Sequence, residues 1–153
     1  MRYMLLLKYD EAAQANTPPD PAMFEEMGRF NTAMVDAGVL LAGEGLMPSA
    51  QGAVVAFDGE EPTVSDGPFT EAKELVGGFW ILEVDTLEEA LSWARRAPFR
   101  SGERLEVRRV SEPEDFEGIA PQEVLDAEEE LRARTTRAAE RSRADEAAEQ
   151  HGG

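Results

Sequence analysis

Few residue types are available here for chemistry. The chain has no cysteine, one histidine (His151, beside the final glycines) and two lysines, Lys8 and Lys73, against thirteen arginines. Ionisable side chains gather between apolar runs in one stretch, Ser65 to Glu74, Ser-Asp-Gly-Pro-Phe-Thr-Glu-Ala-Lys-Glu. Asp-Gly-Pro is turn chemistry: Gly67 reaches backbone angles closed to other residues, and Pro68 fixes its own φ and biases Gly67 away from the helical region. Phe69 then ties the loop to apolar surroundings, so Asp66, Glu71, Lys73 and Glu74 are presented at fixed positions. A lysine in such a loop has its pKa lowered by burial, or it fixes an anionic substrate. Asp66 beside it acts as general base or orients the lysine. The structural alternative is that Asp66 caps the loop's own amides and Lys73 pairs with a neighbouring carboxylate. Glu44, between Gly43 and Gly45, is a second carboxylate with room for close approach. The candidates are therefore Asp66 and Lys73 for catalysis, and Glu44, Glu71, Glu74 and Phe69 for ligand binding.

Other chemistries lack their residues. Without cysteine there is no disulfide, thiolate metal site or cysteine nucleophile, and a single tail histidine offers no metal cluster. No phosphate loop, Ser-His-Asp set or nucleotide fingerprint is present, so neither cofactor nor metal is expected. A net charge of −17 repels nucleic acid and anionic membranes. The one basic cluster in the core, Arg104, Arg108 and Arg109, is interrupted by Glu106 and reads as a solvated strand face. No apolar run is long enough to span a bilayer and no secretory signal opens the chain, which predicts a cytoplasmic protein.

The elements that would position these residues follow from periodicity. Tyr3 to Tyr9 reads as a strand apolar on both faces, and Glu11 to Pro21 as a polar loop. Asp20-Pro21 is an N-cap with proline in the first turn, followed by a helical stripe of Met23, Met27, Phe30, Met34 and Val35 that Gly38 ends. Val39 to Leu46 and Ala53 to Phe57 are strands, with Thr63-Val64 leading into the loop. Phe79 to Val84 is again apolar on both faces. A second helix starts at Asp85-Thr86, turns Leu87, Ala90, Leu91, Trp93 and Ala94 inward and closes at Pro98. Leu105 to Val110 is the last strand of the core. Strand–helix–strand, a hairpin, then strand–helix–strand makes two split β-α-β halves, a ferredoxin-like α+β fold. Two helices cover one sheet face, so the doubly apolar strands predict a second subunit on the other.

Composition changes after residue 111. Residues 112–153 read as an acidic linker, with Phe116 and Ile119 as its last anchors, and a helix from 121 to about 140 supported by pairs such as Glu128–Arg132 and Glu130–Arg134. The remaining tail is expected to fray. This helix is a candidate docking element for a protein partner.

The string from Asp66 to Glu74 resembles the DGPF-[A/T]-E-x-K-E signature of the DGPF-domain family, part of the wider YCII-related group. Asp66, Gly67, Pro68, Phe69, Glu71, Lys73 and Glu74 meet each fixed position. Ala-Gly-Glu-Gly-Leu around Glu44 is similar to the family's G-G-E-x-L, with Ala42 in place of one glycine. The resemblance spans residues 1–111 and implies a homodimer in which two sheets pack face to face as a dimeric α/β barrel. Some members carry a histidine–aspartate pair proposed as catalytic. Residues 1–111 have no histidine, so that mechanism does not carry over.

Three functions compete on these residues. One is a small-molecule binder or acid–base enzyme of small metabolites built on the loop, since barrels of this architecture include isomerases and lactone-processing enzymes. The second is a non-enzymatic accessory protein of an extracytoplasmic-function sigma factor system, a setting in which the family recurs. The third is a structural dimer.

Overall fold

The computed structural model describes residues 1–10, 20–69, 74–100 and 102–151. Residues 1–110 and 111–153 form two compact units. In the first, a four-stranded antiparallel sheet has the order β2-β5-β1-β6. Its strands are β1 (Arg2–Tyr9), β2 (Leu40–Gly45), β5 (Leu75–Glu83) and β6 (Arg104–Arg109). Helix α1 (Pro21–Asp36) joins β1 to β2, and α2 (Leu87–Ala94) joins β5 to β6. This is the ferredoxin-like α+β arrangement, with the first and third strands of the sheet in its centre. Between β2 and β5 the chain makes a 3₁₀ turn (Ser49–Gln51) and a separate two-stranded ribbon, β3 (Ala53–Ala56) paired with β4 (Thr63–Asp66). The loop expected over Glu11 to Pro21 lies for the most part outside the described residues.

Local chemistry sets the helix ends. The Asp20 carboxylate accepts from Ala22 N–H at 3.0 Å with Pro21 in the first turn, and Gly38, at φ +70°, ends α1 where other residues are strained. At α2 the Thr86 hydroxyl accepts from Glu89 N–H at 3.2 Å while the Glu89 carboxylate accepts from Asp85 N–H at 3.1 Å. Each side chain thus satisfies a backbone donor that the helix leaves unpaired.

The core lies between the two helices and one sheet face. Tyr3, Leu5, Trp80, Leu82 and Val84 from the sheet meet Phe30 and Met34 of α1 and Ala90 and Trp93 of α2. Leu5, Met34 and Leu82 are fully enclosed; cutting one of them to alanine costs about 2–5 kcal/mol. The Trp80 ring meets Phe30 and Phe99 edge to face, and its indole N–H donates to the Asn31 side-chain oxygen at 2.9 Å. Two residues expected inside are not: Val35 and Leu87 are exposed. Val35 follows the buried Met34 by one residue, about 100° round the helix, and Leu87 sits in the first turn of α2.

Strand limits also differ. β5 starts at Leu75, four residues before the expected Phe79, because Gly77 and Gly78 are strand residues. A Cβ on Gly77 would stand 2.7 Å from the Tyr9 ring, and one on Gly78 would stand 2.9 Å from the Glu44 carbonyl oxygen. Both glycines let neighbouring strands close over them. Thr63 to Asp66, read as a lead-in to the loop, is strand β4.

In the second unit, a 3₁₀ turn (Pro113–Phe116) precedes α3 (Gln122–His151), which is thirty residues long and outruns the expected end near 140. Ala, Glu and Arg fill it and no glycine or proline interrupts it before Gly152. Arg132 does not use Glu128: it donates to Glu112 at 2.5 Å and to the Ser111 carbonyl at 3.1 Å. Leu125 is buried, whereas Phe116 and Ile119, expected as anchors, are exposed. Among the described residues no helix is long and apolar enough to cross a membrane.

Candidate functional site

The Asp66–Phe69 turn is fastened to the 3₁₀ turn that follows β2. Gly67 N–H donates to the Gly52 carbonyl at 2.9 Å, extending the β3–β4 ladder by one pair. Phe69 N–H donates to the Ser49 hydroxyl at 3.2 Å, and among the described residues Ser49 is the buried polar one. The Gly67–Pro68 peptide is cis. A Cβ on Gly67 would overlap the Ser49 carbonyl oxygen, and the Phe69 ring lies against Gly52. Glycine at position 67 is therefore required by close approach of two backbones. The Gly-Pro-Phe core of the signature works as a clamp, and half-buried Phe69 is one of its jaws.

Asp66 is exposed at the end of β4, opposite Ala53. Glu71 and Lys73 lie outside the described residues. Glu74 is ion-paired with Arg104, the first residue of β6. Ser49 escaped sequence reasoning because a lone serine after Pro48 looks like any turn residue; the tight Gly-Pro junction twenty residues on was the available signal. Asn31 was missed likewise, though it follows Phe30 on the apolar stripe.

Glu44 sits on the edge strand β2, on the sheet face opposite the core. Register places Glu44, Phe79, Leu6 and Glu106 in one row across this second face, and Ala42, Ile81, Met4 and Arg108 in the next. The centre of the face is apolar and its flanks are ionisable. Phe79, Leu6, Ile81 and Met4 are half-buried, while Glu44 and Arg108 are exposed. On the β6 side, Glu106 accepts ion pairs from Lys8 at 3.6 Å and Arg108 at 3.7 Å. With Arg104 on Glu74, two of the three arginines of the basic cluster stand against a carboxylate. The glycines beside Glu44 do different things. Gly43 leaves space that the Trp80 ring takes, since a Cβ there would be 2.8 Å from it. Gly45 has open space where a Cβ would go. The room expected at both glycines is thus taken by Trp80 at Gly43 and left open at Gly45. Among the described residues no group of three His, Cys, Asp or Glu is arranged to hold a metal ion.

A family model matches most of the chain: the YCII-related domain covers residues 1–114. The chain belongs to the YCII-related family. An uncharacterized protein of Rhizobium meliloti (strain 1021) is 31% identical over 97 residues, which are 62% of this chain and 78% of that protein. Within this YCII-related domain, the candidate residues fall into two places: Asp66, Phe69 and Glu74 bracket the clamped turn, and Glu44 flanks the apolar second face.

Proposed function

We propose that this YCII-related protein works as a homodimer that binds, and turns over by acid–base chemistry, a small metabolite. The observation that carries this reading is the second face of the sheet, which has an apolar centre with Glu44 at one flank and the Lys8–Glu106–Arg108 group at the other. Neither α1 nor α2 packs on it, because both lie against the core face. Two such faces set together exclude water from their centres and keep the carboxylates at the margin. An apolar floor with a few convergent polar groups is the usual make-up of a metabolite site. Asp66 and Lys73 are the residues offered for acid–base chemistry, with Glu44, Phe69, Glu71 and Glu74 for holding the ligand. Native mass spectrometry of untagged protein from its own cells tests the reading. The expected spectrum is a dimer carrying a reproducible small-molecule mass, retained by wild type and lost from Glu44→Gln and Asp66→Asn at unchanged dimer mass. A monomer, or an adduct indifferent to both changes, overturns it.

A second reading rests on the second unit. Helix α3 is polar for most of its length, yet Ile119, Val124 and Leu131 leave apolar surface exposed ahead of and along it. In an accessory protein of a sigma factor system, this unit would be the docking element. Deleting residues 119–153 should then abolish capture of the protein partner while the dimer persists. Capture of the same partner by the shortened chain removes this reading.

A further inference from the structure

The β3–β4 ribbon is built like half of a larger sheet. A two-stranded ribbon alone is marginal in water, and this one exposes valines on both sides, beside Asp66 on one and Thr63 and Ser65 on the other. Val55 and Val64 face each other on one side and are 48% and 66% exposed; Val54, on the other, is 45% exposed. Phe57, just past β3, is 77% exposed. Among the described residues β3 pairs only with β4, so its outer edge carries unused backbone donors and acceptors. Natural edge strands are normally protected by charge, proline or a bulge. From Gln51 to Phe57 the chain reads Gln-Gly-Ala-Val-Val-Ala-Phe, with no such device, in a protein of net charge −17.

The geometry points to β3 of a second copy as the occupant of this edge, giving a four-stranded sheet β4-β3-β3-β4 across a two-fold axis. The ladder fixes which residues can meet. The Gly67-to-Gly52 bond marks 52 and 67 as a hydrogen-bonded pair, so by alternation Val54 and Ala56 bond inward to β4, while Ala53, Val55 and Phe57 turn their backbone groups outward. Two outward sets interlock when Val55 stands opposite the second copy's Val55. Ala53 then lies beside the second copy's Phe57, small against large. In this register Asp58, Glu60 and Glu61 fall opposite Gly52, Ala50 and Ser49 of the second copy, so no acidic residue meets another. The self-pairing is therefore compatible with the chain's strong negative charge, and it is isologous, as two-fold interfaces are. It uses the ribbon and not the sheet face, so it stands independently of the dimer described above.

The absence of cysteine gives a clean background for the test. Opposed residues of a hydrogen-bonded antiparallel pair have Cα atoms about 5.5 Å apart, within disulfide range. Under mild oxidation of the full-length chain, Val55→Cys should cross-link as a dimer at least about tenfold faster than Val64→Cys, which is more exposed but lies one strand further from the axis. In parallel, Val55→Pro removes an outward N–H and no ladder bond within the ribbon. It should raise the concentration at which the assembly dissociates in sedimentation by at least about tenfold, with unchanged circular dichroism. Val55→Lys keeps the N–H and adds charge at the axis, and it should act in the same direction. Equal cross-linking at 55 and 64, or an assembly indifferent to both Val55→Pro and Val55→Lys, overturns the proposal.

Discussion

Gly67 and Ser49 show how one missing methyl group can hold the signature turn in place. The Ser49 carbonyl occupies the volume a Cβ would need, and the Ser49 hydroxyl takes the Phe69 amide. Gly67→Ala forces the two backbones apart and should cost about 1–3 kcal/mol, the range of an overpacked core. Ser49→Ala leaves the Phe69 amide short of its acceptor, a loss of about 1–3 kcal/mol where water cannot replace it. Urea unfolding of both variants checks the pair of values, and a double variant less destabilised than their sum would show one shared contact. Asp66→Asn, on an exposed side chain, should leave the unfolding midpoint within about 0.5 kcal/mol of wild type. That contrast separates the residues that build the turn from the residue the turn displays. It also marks how far sequence reading reached: Asp-Gly-Pro announces a tight turn, but what the turn docks on depends on a serine with no pattern of its own.

At the scale of elements, periodicity located both helices and every strand of the sheet, because buried positions repeat and caps such as Asp20 and Thr86 are explicit. Errors came where a side chain's direction or a glycine's role is set by tertiary contact. Val35 looked like stripe and is exposed; Gly77 and Gly78 looked like a lead-in and are central to β5. The second face of the sheet was legible as well, since Met4 and Leu6 alternate with Tyr3, Leu5 and Leu7 and need their own environment. Leu6→Glu places a charge in the apolar centre beside Phe79, away from the helix-packed core. If two sheets meet there, sedimentation should show the face-to-face dimer lost while the helical circular dichroism is kept, because an unpaired buried charge costs several kcal/mol. An unaltered mass would remove the face-to-face dimer.

On the whole-molecule scale, the two units differ in kind. Residues 1–110 hold the apolar cluster, while α3 carries acidic residues from Glu123 to Glu130 and arginines from Arg132 onward with little to bury. Stability of the first unit should therefore not depend on the second. A chain ending at residue 118 is expected to unfold within about 0.5 kcal/mol of the full-length protein in urea, an outcome compatible with either reading of function. The length of α3 was under-read from sequence since its interior is alanine-rich without a large apolar stripe, and propensity alone does not mark where such a helix ends.

The adjacency of β1 and β6 also sets the order in which the chain can be completed during synthesis. The strand that emerges first is central and pairs with the one that closes the domain, Tyr3 against Arg109. Until β6 is released, β1 keeps an open edge on which nascent chains can pair wrongly. A chain interrupted before Arg104 therefore leaves β1 with one edge unpaired.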